Sequence, residues 1–562
     1  MIFSNYLIGV VEDNIKLFVY PHLFANFKSC SIYFGYPAGT CIDSQIFFQP
    51  LINMPLYSLT KLINPVFLYN LVIVVGMLLN FFFSYKFFKK LFGNYISALI
   101  SLIFVFSPYF AYQSRSHYEL IQFWPVIFFM DVLFFNISKY KPLILGLLLT
   151  LITGISYYLG FFTILFCVLY LFAYFITSSD RITLFKNNLT PIIKGGLFFI
   201  LTSAIFLFPY IKSNYFSSVS DMSYSTDPKF VKRPFEDYVI FSSRPWYYVL
   251  PSVDNPFFGD FSQSVLNKLT STNNYLTQNY FKSEHSATYL GWINLFFALL
   301  GIKLLFKSKT KKDWKLNYSA ILVTLVGLVI FTMPPSFVFK DITFYTPSLI
   351  LFNIFPMFRV LSRIGVFILF LMLIFTCFGY ISLKNWFIKQ GVSDKLAKVM
   401  LVPFVFLSIS EFLIPVKITH ISEPPAVYSY LKKSVTTESP IVVYPYNKTS
   451  DAIFWLSEYR QPLINPRSYE NVSANFYSED FTEALNTDLG LEKAVDMGAK
   501  YLVYFYEVDE RESIEFFDNN ILLKRIANFE EKKPNETKIL NFIYILESGP
   551  SINNSAILYG FK

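Results

Sequence analysis

The sequence predicts an all-α polytopic membrane bundle followed by a small α/β domain, and three observations predict it. Of 562 residues, 54% are hydrophobic and only 15% charged, where a soluble chain carries about 25% charged residues. The apolar residues gather into runs that match the ~20 residues a helix needs to cross ~30 Å of hydrocarbon. Beyond residue 415 those runs stop, and short apolar stretches alternate with polar ones. The 67 Phe and 40 Tyr fit codon bias and carry no functional argument here.

Taken in order, residues 1–65 precede the first span. Residues 1–11, MIFSNYLIGVV, read as the tail of a helix that would begin upstream. Ile15–Phe27 is apolar with Lys16 and His22 interspersed, which suits a helix lying in the interface. Ten spans follow, near 66–85, 95–112, 120–137, 142–156, 158–178, 192–211, 288–306, 317–333, 363–382 and 398–415. The fourth and fifth meet at Gly154–Gly160, which reads as a tight helical hairpin. Residues 66–211 thus carry six spans and 288–415 four, with 212–287 an irregular covering loop between them. Within the second group, 345–362 is apolar but broken by Pro347 and Pro356, and reads as a re-entrant or surface helix. The tail, 416–562, holds helical patterns at Ala426–Lys433 and Leu491–Gly498. Strand patterns fall at Pro440–Tyr446, Lys500–Glu507 and Ile539–Glu547.

Orientation follows from the loops. Lys86, Lys89 and Lys90 follow the first span, and Lys139 and Lys141 the third. Arg181 and Lys186 follow the fifth, Lys303 to Lys315 the seventh, and Lys384 to Lys398 the ninth. Every odd-numbered span is followed by a basic loop, which makes those loops cytoplasmic. The first segment, the 212–287 loop and the C-terminal domain then lie outside a plasma (inner) membrane. The net charge of +9 is accounted for in this way and does not point to nucleic acid. Of four cysteines, Cys167 and Cys377 fall in apolar runs as packing residues. Cys30 and Cys41 share the first outside segment as a disulfide or as free thiols, a choice that spacing alone does not make.

The chain lacks a GxxxxGK[ST] loop, a GxGxxG after a strand, GxSxG and CxxC, which argues against nucleotide-driven and Rossmann chemistry. Its four histidines, His22, His117, His285 and His420, have no HExxH spacing. Asp131 and Glu411 are the intramembrane acids; Asp131 reads either as functional or as facing a polar neighbour. What remains is a set of outside-face acids and bases. Glu12 and Asp13 precede the first span, and Ser114-Arg115-Ser116-His117-Tyr118-Glu119 lies between the second and third.

Moving a sugar from a polyprenyl phosphate to a hydroxyl needs a carboxylate to take the hydroxyl proton. It also needs positive charge on the departing phosphate. Asp13 or Glu12 fits the first task, with Glu119 a second carboxylate for acceptor or metal. Arg115, Arg359 and Arg363 fit the second, with bidentate geometry for phosphate, and His117 joins them as a candidate substrate-binding residue. No cofactor is required; a divalent metal, Mg or Mn, is an alternative source of charge. Each residue has a plainer reading: solvated loop acids for Glu12 and Asp13, helix-end capping for His117 and Glu119, snorkelling for Arg359 and Arg363. His285 and Glu284 read as interfacial.

The residues from Glu12-Asp13 through YFGYPAGTC (33–41) and PLINMPLYSLTKLINPVFLYNLV (50–72) resemble the first luminal loop and second span of GT-C-type bacterial membrane glycosyltransferases, the groups related to YfhO-like proteins. FSPYFAYQSRSHYELIQFWP (106–125) is similar to their second outside motif, and SEHSATYLGWINLFFALLGI (283–302) to the span that follows their long loop. FPMFRVLSRIGVF (355–367) resembles their Pro-Arg-Arg segment, and DMGAKYLVYFYE (496–507) part of their soluble tail. The resemblance implies a GT-C fold and an essential acid in the first outside loop, at Asp13 with Glu12 adjacent. It implies a second acid at Glu119 and a polyprenyl-phosphate sugar as donor. The family's first helix has no counterpart ahead of Glu12. The function expected is glycosyl transfer to an envelope glycan or polymer. The alternatives are a non-catalytic protein that binds or hands on envelope polymers, or a transporter of lipid-linked glycans.

Overall fold

The computed structural model describes residues 6–9, 30–31, 33, 35–37, 40–41, 49–60, 62–136, 138–178, 189–211, 235–270, 287–307, 316–339, 342–421, 423–466, 480–506, 511–530, 539–540, 544–548 and 555–562. The chain divides into two compact units. One holds Met1–Leu71, Ile205–Phe230 and Lys417–Lys562; the other holds Val72–Ala204 and Val231–Val416.

The second unit is helical. Five helices among the described residues are long and apolar enough to cross a membrane: Pro65–Phe92, Asn94–Gln113, Tyr118–Phe135, Tyr157–Thr177 and Leu361–Lys389. Shorter apolar helices occupy Lys141–Ile155, Thr190–Ile205, Trp292–Phe306 and Tyr318–Thr332. The first long helix starts where Pro65 takes a position that needs no N–H and Asn64 Oδ1 accepts from Val66 and Phe67 N–H, at 2.9 and 3.1 Å. Gly93, at φ 78°, breaks it after Lys89 and Lys90. The stretch expected to be a tenth span is instead two helices, Asp394–Val399 and Val402–Phe412, the second opening on Pro403. An 11-residue helix is about 17 Å long at 1.5 Å per residue, too short to span alone.

Gly365–Lys389 is apolar on every face, the pattern of a helix surrounded by protein, and residues 365–377 are all buried. Its Phe370 ring lies 5.1–5.3 Å from those of Phe87, Phe88 and Phe104, and Phe367 lies 5.0 Å from Phe123. Trp292–Lys307 crosses it at glycines. A Cβ on Gly301 would strike the carbonyl oxygen of Phe375, and one on Gly379 that of Phe297, both inside the 3.0 Å that real Cβ atoms respect. Small residues let apolar helices approach in this way.

The stretch 212–287, read as irregular, carries two helices in its described part, Phe235–Ile240 and Gly259–Thr270. The first is short, and the second is amphipathic and weakly apolar, so neither shows as a long apolar run. Within 345–362 the helix is Ser348–Ile354, preceded by a hairpin of Ser336–Phe339 and Ile342–Tyr345.

The other unit is built on two four-stranded sheets. In one, Ile441–Tyr444 runs parallel to Tyr501–Phe505, which pairs antiparallel with Ala556–Phe561, itself paired with Leu523–Phe529. Val442, Leu502, Tyr504, Leu491, Phe517 and Ile557 form its core. In the other sheet, Tyr6–Ile8 pairs antiparallel with His420–Ile418. This corrects the helix-tail reading of the first residues at those positions. Asn70 donates to Tyr6 O (2.7 Å) and accepts from Ile8 N–H (2.9 Å), so strand geometry satisfies this backbone, and Gly9 at φ 108° ends it. Cys30 and Cys41 face each other in the antiparallel register of their two-residue strands. Ile15–Phe27, Arg181, Lys186, Glu284 and His285 lie outside the described residues.

Candidate functional site

Pro108 interrupts the second long helix. It has no N–H to offer the preceding turn, so Asn94–Val105 ends and Pro108–Gln113 begins again one residue after a bend at Ser107. His117 N–H donates to Gln113 O at 2.8 Å, closing a turn, and a further short helix, Tyr118–Ile121, follows. The next break is at Gln122–Phe123. Unpaired peptide groups are costly in apolar surroundings, and here side chains satisfy them. Asn80 donates to Ile121 O at 2.7 Å, and Gln122 donates to Val72 O (3.2 Å) and Tyr118 O (3.3 Å). Gly76 leaves room for the Gln122 amide, which a Cβ there would strike. The polar run 114–119 is thereby fixed between two spans, and Ser114, Arg115, Ser116 and Glu119 are buried.

The segment 355–364 meets it. Tyr238 Oη donates to Phe355 O (2.6 Å), Tyr158 Oη to Met357 O (3.4 Å), and Phe161 stacks on Phe358 at 4.2 Å. Ser362 N–H reaches Phe241 O at 3.1 Å. Gly365 starts the following helix where a Cβ would strike Ala287 O. So held, Arg363 places Nη2 3.0 Å from His117 Nε2 and lays its guanidinium over the Tyr158 ring, 4.7 Å from the centroid. A guanidinium only donates, so Nε2 accepts and the ring proton belongs on Nδ1. That nitrogen is 3.6 Å from Glu119 Oε1, an electrostatic contact longer than a hydrogen bond.

The other two arginines are held by carboxylates. Arg115 Nη1 is 2.8 Å from Asp254 Oδ2, and its Nη2 donates to Pro415 O at 3.3 Å. Arg359 pairs with Asp237 and lies over the Phe241 ring at 4.9 Å. The structure therefore brings Arg363, His117 and Glu119 together. Arg115 is two residues from His117, and Arg359 anchors the segment that carries Arg363. Glu12 and Asp13 lie outside the described residues. Sequence reasoning missed Asp237, Asp254 and Tyr158. The signal for the acids was the arginines themselves, since a cation among apolar spans needs a partner. Gln113 is fully buried, and its amide has no partner among the described residues. Among the described residues no three His, Cys, Asp or Glu side chains gather as a metal site. Asp131 has a polar neighbour: Lys90 Nζ donates to both its oxygens.

No family model matches the chain, and no curated protein matches it in sequence. Solved structures do resemble it. The arabinofuranosyltransferase AftD from mycobacteria matches with a TM-score of 0.53 at 11% identity, over 98% of this chain and 40% of AftD. The oligosaccharyltransferase AglB of Archaeoglobus fulgidus, in complex with an inhibitory peptide and a dolichol-phosphate, matches at TM-score 0.43 and 10% identity, over 89% of this chain and 66% of that one. ArnT of Cupriavidus metallidurans, bound to undecaprenyl phosphate, matches at 0.45 and 9%, over 99% and 94%. The chain spans less than half the length of AftD, and the fold conclusion rests on that match. The chain has the fold of the GT-C membrane glycosyltransferases.

Proposed function

We propose that this chain transfers a sugar from a polyprenyl-phosphate donor to a hydroxyl of a cell-envelope acceptor, at the outer face of the plasma membrane. The observation that carries the reading is the meeting of Arg363 with His117 across 246 residues of sequence, with Glu119 beside them. Phosphate recognition calls for a planar cationic fork with fixed orientation, and Tyr158 and His117 fix this one. The fold shared with an arabinofuranosyltransferase and the absence of nucleotide-binding motifs in the sequence both favour a donor that carries its own activated bond.

In this mechanism Asp13, with Glu12 adjacent, takes the acceptor hydroxyl proton as that oxygen attacks the anomeric carbon. The bond from that carbon to the phosphate oxygen breaks, and its electron pair leaves with the lipid phosphate. Arg363 stabilises the charge that develops there, while Arg115 and Arg359, each paired with a carboxylate, hold the segments around it. Glu119 orients the acceptor hydroxyl, and His117 keeps the Arg363 fork in position. The alternation of basic loops favours the outer face for 416–562 as well.

The test uses membranes holding the full chain, with a labelled polyprenyl-phosphate sugar pool. Asp13→Asn should lower transfer about 10²–10⁴-fold, the usual contribution of a positioned general base. Glu119→Gln and Arg363→Lys should each lower it while the protein still elutes as a folded species. Full transfer by both Asp13→Asn and Glu119→Gln would end the proposal.

A further inference from the structure

At the far end of the Tyr118–Phe135 span from Glu119 there is a cavity of about 470 Å³. It is lined by the polar residues Lys90, Asp131, Asn136 and Ser138 and by the apolar residues Phe128, Val132, Phe135 and Ile144. We propose that this cavity is a headgroup site for an aminophospholipid of the phosphatidylethanolamine class.

Asp131 is the acid of this cavity. An ionised carboxylate has room for about four hydrogen bonds, and Lys90 Nζ supplies two contacts, at 2.6 and 2.7 Å. The acid is only 19% exposed, so acceptor capacity remains on a side chain facing the cavity rather than bulk water. Asp131 with Lys90 is a net-neutral pair, so a zwitterionic headgroup matches it better than an anionic one. A primary ammonium donates to the open carboxylate positions, and choline, with no N–H, does not. Lys90 is 44% exposed and supplies a cation for the phosphodiester that follows the ammonium. Ser138 and Asn136 sit in the turn beside it. The wall of Phe128, Val132, Phe135 and Ile144 suits the start of acyl chains, and it favours a lipid over a free headgroup. The position agrees: the site lies where apolar helices end in Lys89, Lys90 and Lys141, the depth at which headgroups meet basic side chains. The plainer reading, that Lys90 does nothing but neutralise Asp131, accounts for the ion pair and not for the cavity around it.

The experiment is native mass spectrometry of the full-length protein, released from detergent carrying equal amounts of phosphatidylethanolamine, phosphatidylcholine and phosphatidylglycerol with the same chains. Retained phosphatidylethanolamine should exceed phosphatidylcholine about fivefold, with phosphatidylglycerol below it. Asp131→Asn should bring phosphatidylethanolamine down to the phosphatidylcholine level. Ile144→Trp fills the cavity and leaves the ion pair intact, so it should do the same and serves if Asp131→Asn misfolds. Three outcomes overturn the proposal: equal retention of the three lipids, phosphatidylglycerol held as well as phosphatidylethanolamine, or a preference that survives both substitutions.

Discussion

Replacing Gly301 or Gly379 by alanine should force apart the helices Trp292–Lys307 and Gly365–Lys389. The contact is reciprocal: Gly301 faces the carbonyl of Phe375, and Gly379 that of Phe297. One turn separates each glycine from the phenylalanine on its own helix, so the two glycines mark one crossing. Ordinary Cβ contact begins at 3.4 Å, and reaching it requires the backbones to move by roughly 1 Å. Overpacking of this kind costs ~1–3 kcal/mol, or about 5- to 150-fold in the equilibrium toward an opened pair. Cys377 is fully buried on the second helix and reports that opening. In purified full-length protein its labelling by a thiol reagent should rise by that factor in either variant. The double variant should cost less than the sum, because one displacement relieves both clashes. Gly196→Ala is the control. Nothing lies within 4 Å of a Cβ there, and in a helix alanine is favoured over glycine by ~0.5–1 kcal/mol. If Gly301→Ala and Gly379→Ala behave like Gly196→Ala, the close crossing is wrong.

Three further outcomes are expected. Tyr158→Phe keeps a ring face under Arg363 and should leave the apparent KM for the lipid donor within twofold. Tyr158→Leu removes the face, worth ~1 kcal/mol, and should raise that KM about fivefold; equal effects of the two would remove the ring from the site. Arg115→Met should destabilise the protein more than Asp254→Asn. The arginine side chain is 11% exposed and the aspartate 44%, and an exposed partner is screened; chemical denaturation of both variants and their double measures the coupling. Cys30 and Cys41 oppose one another in register, so protein made in an oxidising compartment should yield a disulfide-linked fragment on non-reducing peptide mapping. Two freely alkylated thiols would contradict it.

The apolar runs were legible in the sequence because length and hydropathy alone decide whether a helix can cross a bilayer, and nothing distant alters that test. The Leu361–Lys389 helix, near the run expected at 363–382, is the plainest case. Other features depend on partners far along the chain. Tyr6–Ile8 is too short for its period to distinguish a helix end from a strand; residues 418–420 and Asn70 make it a strand. The expected span at 398–415 has the composition of a span, yet its helix is interrupted ahead of Val402. Gly196 and Gly301 sit in equally apolar helices, and only the neighbouring helix separates an idle glycine from an indispensable one.

The candidate site divides along the same line. Arg115, Arg359 and Arg363 stood out because a cation on the outer side of apolar spans requires a reason. The reason for two of them is a carboxylate 139 or 122 residues away, in a stretch whose short or weakly apolar helices do not show as apolar runs. Arg363 also meets the His117 ring and the Tyr158 face, contacts that no charge pattern in the sequence marks. A histidine and an aromatic face orient the guanidinium fork of Arg363, and fixed orientation is what phosphate recognition asks of it. Arg359, paired with Asp237, anchors the segment that carries Arg363. Substituting Asp237 should therefore loosen the segment that carries Arg363. Substituting His117 should alter donor affinity with the segment intact.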